Sequence, residues 1–145
     1  MDRKIYVAIP YTRVEDRSFE MANRVAYEII KHGDIPFSPI SMSHPIVEAS
    51  KHDGKYEKEL LGTWEVWSKI DYSFIDWCDE IWVVCMERSL VRESVGVQAE
   101  LDYGRKHNKV IRYIGVEYPD NPAVTDKYKF KWQVEEYDIK GNKGS

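Results

Sequence analysis

The sequence predicts a three-layer, doubly wound α/β sandwich around a mostly parallel five-stranded sheet. Three observations carry this. Lys4–Ile9 and Glu80–Met86 are near-continuous apolar runs, the pattern of strands buried on both faces. Arg13–His32 and Trp64–Trp77 carry apolar residues at helical spacing. Strand and helix then alternate along the chain, as parallel β–α–β units require. The type is flavodoxin- or Rossmann-like.

Each element follows from local chemistry. Pro10 closes the first strand. The first helix buries Phe19, Ala22, Val25, Ala26, Ile29 and Ile30, and Gly33 ends it. Ile35–Pro39 is a short second strand cut by prolines. Residues 40–63 lack a clear period and read as a long loop or lid holding His44 and His52, with a short helical turn near Tyr56–Leu61. The helix Trp64–Trp77 turns Trp67, Ile70, Phe74 and Cys78 inward, with Asp71 on the same face. After the central strand come a loop, Glu87–Glu93, and a helix that opens at Ser94 and runs to about His107. Lys109–Ile114 is a further strand, and Phe130–Val134 a final edge strand. Residues 1–138 are read as one domain and 139–145 as a flexible polar tail.

Bulk properties narrow the partners. The chain has 145 residues and a net charge of −4. That charge, with no Lys/Arg patch, speaks against nucleic acid as a partner. The cluster Lys51, His52, Lys55 and Lys58 is interleaved with acidic residues and reads as a solvated loop. No apolar run reaches membrane length, so no membrane partner is expected. Cys78 and Cys85 read as buried free thiols, and a cytoplasmic location is expected. No metal-ligand spacing is present, nor a Walker loop or G-x-G-x-x-G, so neither metal nor cofactor is expected.

The chemistry concentrates in Ser94-Val95-Gly96-Val97-Gln98-Ala99-Glu100-Leu101. A Ser and a Gly at a helix start leave backbone N–H groups that suit an anion such as phosphate. Taken alone, the same pair is an ordinary helix cap. Six residues after Ser94, Glu100 falls in the middle of the face formed by Val97, Leu101 and Gly104. An inward carboxylate is a nucleophile or general base, or else is tied to an Arg or Tyr inside the fold. Asp71 supplies a second inward carboxylate, and burying both costs free energy that function would justify. Tyr6 reaches the same sheet edge or fills the core. Arg13, at a helix start where a cation is disfavoured, is a candidate anion ligand. Trp64 is a candidate for stacking on a flat ligand and Trp67 a core residue.

In order, Ile5-Tyr6-Val7-Ala8 with Pro10, Glu15-Asp16-Arg17, Asp71 eight residues before Asp79, and Ser94-x-Gly96-Val97-x-x-Glu100-Leu101 resemble the nucleoside 2-deoxyribosyltransferase family. The likeness spans Ile5 to Ile114 and leans toward the branch of 2′-deoxynucleoside 5′-monophosphate N-glycosidases. The resemblance implies Glu100 as nucleophile at the anomeric carbon, Asp71 as supporting carboxylate and Tyr6 as an orienting phenol. It implies a small-molecule nucleotide substrate bound by Ser94, Gly96, Arg13, Pro10 and Trp64, and a homodimer or larger homo-oligomer. Transferases acting on free nucleosides carry an Asp where Ser94 stands. A neutral hydroxyl tolerates phosphate there, which favours a 5′-monophosphate and water as acceptor. The chain departs from the family at Asp102, where a glycine is common, and at Ile9-Pro10, where Gly-Pro is usual. The expected activity is hydrolysis of a (deoxy)nucleoside 5′-monophosphate to base and sugar phosphate. The alternatives are base exchange by a nucleoside 2-deoxyribosyltransferase, and an inactive nucleotide-binding sensor or inhibitor.

Overall fold

The computed structural model describes residues 2–11, 14–51, 61–86, 88–115 and 134–137, the backbone alone at Arg88 and at 134–137. Arg13, part of the lid region (52–60), Phe130–Gln133 and the tail lie outside the described residues.

The strands are β1 (Lys4–Ala8), β2 (Ile35–Phe37), β3 (Glu80–Cys85), β4 (Val110–Gly115) and β5 (Val134–Tyr137). They form one sheet in the order β2-β1-β3-β4-β5. The first four are parallel, and β5 runs antiparallel along β4. The expected sheet is thus present. Its edge strand lies further along the chain than Phe130–Val134, sharing only Val134 with that segment.

The helices are α1 (Glu15–Lys31), α2 (Pro39–Ser50), α3 (Trp64–Trp77), α4 (Arg88–Glu93) and α5 (Val95–Lys106). Strand alternation divides them between two faces. Ile5, Val7, Trp82 and Val84 meet Met21, Ala22, Val25 and Ile29 of α1, with Ile40 of α2 packed alongside. Tyr6, Ala8, Ile81 and Val83 meet Ile75 and Cys78 from α3 and its end, Val91 of α4, and Val97 and Leu101 of α5. The helix α1 stops where expected, its chain turning at Gly33 with φ of 84°.

Two segments expected as loops are helical. The first half of residues 40–63 is α2. Its missing apolar period reflects polar residues spread around it, while Pro39 sits at the first turn, where its absent N–H costs nothing. Pro45 lies inside the helix on its exposed side, where it lacks an N–H for the helix ladder. The segment Glu87–Glu93 holds the single short helix α4. In α3 the buried residue is Ile75, which sequence spacing did not select, while Trp67, Ile70 and Phe74 are half-buried.

At the amino ends of the strands a charge cluster ties the sheet together. Arg3 pairs with Asp34 at 2.9 Å and with Glu80 at 3.2 Å, and Arg112 Nε donates to Glu80. The Arg3 guanidinium holds the Asp34 carboxyl well below the usual carboxylate range. Asp79 accepts from the Lys4 N–H at 2.9 Å and returns its own N–H to the Lys4 carbonyl at 2.8 Å.

The opposite, carboxyl ends carry the opening. Because β2 lies on one side of β1 and β3 on the other, the strand order reverses between β1 and β3. Ligands of doubly wound folds lie in the crevice above this point.

One close approach sets the depth of α5. A Cβ added at Gly104 would overlap Ile81 Cδ1 in β3. Gly104→Ala should therefore cost about 1–2 kcal/mol, overpacking outweighing the better helix propensity of Ala. Denaturant unfolding checks this, and Gly104→Ala combined with Ile81→Val should recover most of the loss. A double variant as unstable as the single one would remove the steric explanation.

Candidate active site

A cavity of about 440 Å³ occupies the crevice above the sheet. Ile9 and Tyr11 line it from the end of β1. Pro39, Ile40, Ser43 and Val47 line it from α2, and Leu61, Gly62 and Thr63 from the approach to α3. Trp64, Trp67 and Asp71 contribute from α3, Ser94 to Val97 and Glu100 from α5. Apolar and aromatic side chains predominate, with a few polar groups converging among them, as small-molecule sites require.

The two carboxylates are placed by the packing of α3 and α5 side by side on one face of the sheet. Phe74 of α3 stacks on Phe37 of β2 with centroids 3.6 Å apart, and Phe37 in turn lies 6.0 Å from the ring of Tyr6. This aromatic wedge seats α3, and Asp71, three residues before Phe74, is carried inward on the same face. On α5 the buried stripe of Val97, Leu101 and Gly104 draws Glu100 down with it, leaving it 7% exposed.

Burial dominates the electrostatics. Loss of water pushes Asp71 up to about 7. Glu100 is pushed up to about 8, by burial first and then by the nearby Asp71 charge. The Tyr6 phenol opposes this, favouring the ionised form of Glu100. Tyr6 is wholly buried behind the cavity wall, and burial with the neighbouring carboxylates raises its own ionisation far out of range, so it stays a phenol. Tyr6 Oη and Glu100 Oε2 are both buried without a well-formed hydrogen bond. Such orphaned polar atoms are costly, and of the two residues Glu100 is the one that lines the cavity.

The start of α5 behaves as a capped helix terminus. Ser94 Oγ accepts the N–H of Val97 at 3.2 Å. That leaves the first-turn N–H groups of Val95 and Gly96, which have no intrahelical acceptor, at the cavity wall. Gly96 is free of crowding, since an added Cβ would meet only Trp64 Cζ3 at 3.7 Å.

The structure brings together Glu100, Asp71, Ser94, Gly96 and Trp64, with Tyr6 behind them. Trp67, expected in the core, lines the cavity instead and donates its indole N–H to the Leu61 carbonyl at 2.7 Å. Pro10 is not part of the lining; it is buried, and its carbonyl accepts from Ser18 Oγ. Tyr11 and the α2 face were missed by sequence reasoning. The signal for α2 was the i, i+3, i+7 spacing of Ile40, Ser43 and Val47, too mixed in polarity to stand out. Among the described residues no group of His, Cys, Asp and Glu could hold a metal ion, and no helix is long and apolar enough to cross a membrane.

A family model described as "Domain of unknown function (DUF1937)" matches residues 3–114. The chain belongs to that family. The match spans every site residue named above and stops at the end of β4. No curated protein matches this DUF1937 chain. Among solved structures, a 2-deoxyribosyltransferase from the psychrotolerant bacterium Bacillus psychrosaccharolyticus is similar, with a TM-score of 0.53 at 20% sequence identity. The similarity covers 86% of this chain and 81% of that one. The DUF1937 domain therefore shares its α/β fold with that enzyme, in agreement with the fold expected from the sequence resemblance.

Proposed function

We propose that this DUF1937 protein hydrolyses the N-glycosidic bond of a (deoxy)nucleoside 5′-monophosphate, with Glu100 as nucleophile. The observation that carries this reading is the meeting of two carboxylates, buried Glu100 and half-buried Asp71, with an open helix terminus in one largely apolar cavity. The base would lie against Trp64 and the apolar wall, and the phosphate would take the N–H groups of Val95 and Gly96. Arg13 would add a cation for the phosphate, and Pro10 would shape the β1 exit from which Tyr11 faces the cavity.

The chemistry needs one carboxylate charged and the other protonated. Two acids raised together in one apolar site retain a shared proton around neutrality; it rests more on Glu100, and the reactive form is the minor one with Glu100 ionised and Asp71 protonated. The Glu100 carboxylate attacks the anomeric carbon as the bond to the base nitrogen breaks. Asp71 gives its proton to the departing base. Water then attacks the same carbon, the ester bond to Glu100 breaks, and the water proton passes to Asp71. Tyr6 orients Glu100 by favouring its ionised form.

A second reading, base exchange, is favoured by the fold shared with a 2-deoxyribosyltransferase described as a biocatalyst for nucleoside synthesis. There a second base, not water, would take the sugar from Glu100.

The decisive experiment is base release followed by chromatography. Deoxy- and ribonucleoside monophosphates are incubated with wild type and Glu100→Gln, with and without a second base. Free base and sugar phosphate from wild type alone support hydrolysis. Exchange outrunning hydrolysis supports transfer, and no release under any condition overturns both.

Ser94 offers a cleaner test of the phosphate. Asp caps a helix as well as Ser, so Ser94→Asp keeps the cap and adds only a charge. The preference for nucleotide over nucleoside should fall about 10- to 100-fold, while Tm stays within about 2 °C. An unchanged preference would place the phosphate elsewhere.

A further inference from the structure

Tyr11 lines the cavity, and its hydroxyl pairs with His44 Nδ1 at 2.8 Å. The imidazole is itself held in place. It stacks on Phe19 with centroids 4.4 Å apart and planes 21° from parallel, and it meets the Tyr11 ring edge-on. Its other nitrogen, Nε2, faces the Asp16 carboxylate at 3.8 Å. A carboxylate only accepts, so Asp16 favours the tautomer with the proton on Nε2. In that tautomer Nδ1 accepts and the Tyr11 O–H donates to it.

The consequence falls on the cavity. A phenol whose only proton is committed to His44 presents its oxygen lone pairs to anything bound beside it. A ligand group that donates a hydrogen bond is welcomed, and a carbonyl oxygen at the same place meets repulsion. The neighbouring wall of Pro39, Ile40 and Val47 is apolar, with the Ser43 hydroxyl and the Trp64 indole N–H as the polar groups beside it.

We infer that Tyr11, oriented by His44, makes the cavity selective for a base bearing an exocyclic amino group over one bearing a keto group in its place. Tyr11 is the specificity-determining residue and His44 a positioning residue. The inference rests on the nucleotide reading above, and names the substrate class within it.

The test separates the two. Binding of cytidine and uridine monophosphates, and of adenosine and inosine monophosphates, in their deoxy forms, is measured by calorimetry for wild type, Tyr11→Phe and His44→Ala. Base release is measured separately. Wild type should bind the amino member of at least one pair about tenfold better. Tyr11→Phe should erase the preference by removing the oxygen. His44→Ala should erase it too, because the freed hydroxyl can turn and donate. If His44→Ala does not fold, Tyr11→Phe alone decides, since it keeps the ring. Equal binding within both pairs by wild type, or a preference that survives Tyr11→Phe, overturns the inference even where base release proceeds. A preference erased by Tyr11→Phe without any base release supports it while removing the hydrolase reading. No binding of any nucleotide overturns both.

Discussion

Replacing Glu100 by Gln should lower base release at least about a thousandfold and, at pH 8, make the protein more stable. The first effect follows from loss of the attacking oxygen, since an amide of the same shape cannot form the glycosyl ester. The second follows from the direction of the pKa shift. Glu100 titrates near 4.5 as a free side chain and at about 8 in the fold. The folded protein therefore holds its proton more tightly than the unfolded chain does. Folding is undisturbed by this group below about pH 4, and stability is lost as pH rises through the folded value. Gln never ionises, so it escapes that loss. The gain should be about 1–3 kcal/mol at pH 8 and close to zero at pH 4, read by denaturant unfolding at both values. A variant destabilised equally at both would mean that the Glu100 charge is matched by a partner in the resting protein. Asp34 contributes with the opposite sign, its depressed pKa stabilising the fold above the usual carboxylate range and failing in acid.

Asp71→Asn should reduce turnover about 10²- to 10⁴-fold and change the shape of the pH profile. With both acids present, activity rises as one carboxylate ionises and falls as the second proton leaves, giving a bell. Asn removes the proton donor, so the alkaline limb should vanish. It also removes the charge that helps to raise Glu100, so the acidic limb should move to lower pH. Bases that depart readily without protonation should be hurt least. An unaltered bell with only reduced height would assign Asp71 to holding the sugar rather than to proton transfer.

Much of this arrangement was legible in the chain, and what was not has physical reasons. The strands Lys4–Ala8 and Glu80–Cys85 announce themselves because a parallel sheet covered on both faces demands unbroken apolar runs. Glu100 and Asp71 were readable as inward carboxylates because helical spacing alone sets their faces. Helix α2 was hidden by Pro39 and Pro45, since prolines ordinarily mark loops; Pro39 sits at the first turn, where it is tolerated. The role of Ile75, rather than Ile70, depends on how α3 rolls against the sheet, and that is set by the Phe37–Phe74 stack across 37 residues of chain. The pairing of Tyr11 with His44 is equally long-range, 33 residues apart, and no spacing rule connects them.

The charge cluster of Arg3, Asp34, Glu80 and Arg112 sits at the amino ends of the strands, while the carboxylate pair lies beyond their carboxyl ends. Six residues of β3 separate the two, a span of about 20 Å. At that separation substitutions combine nearly independently. The sheet thus divides its labour between a foundation that never meets ligand and a rim that is free to diversify. A lineage built on this domain can exchange the residues around the cavity, including those that choose the base, without renegotiating what keeps the chain folded.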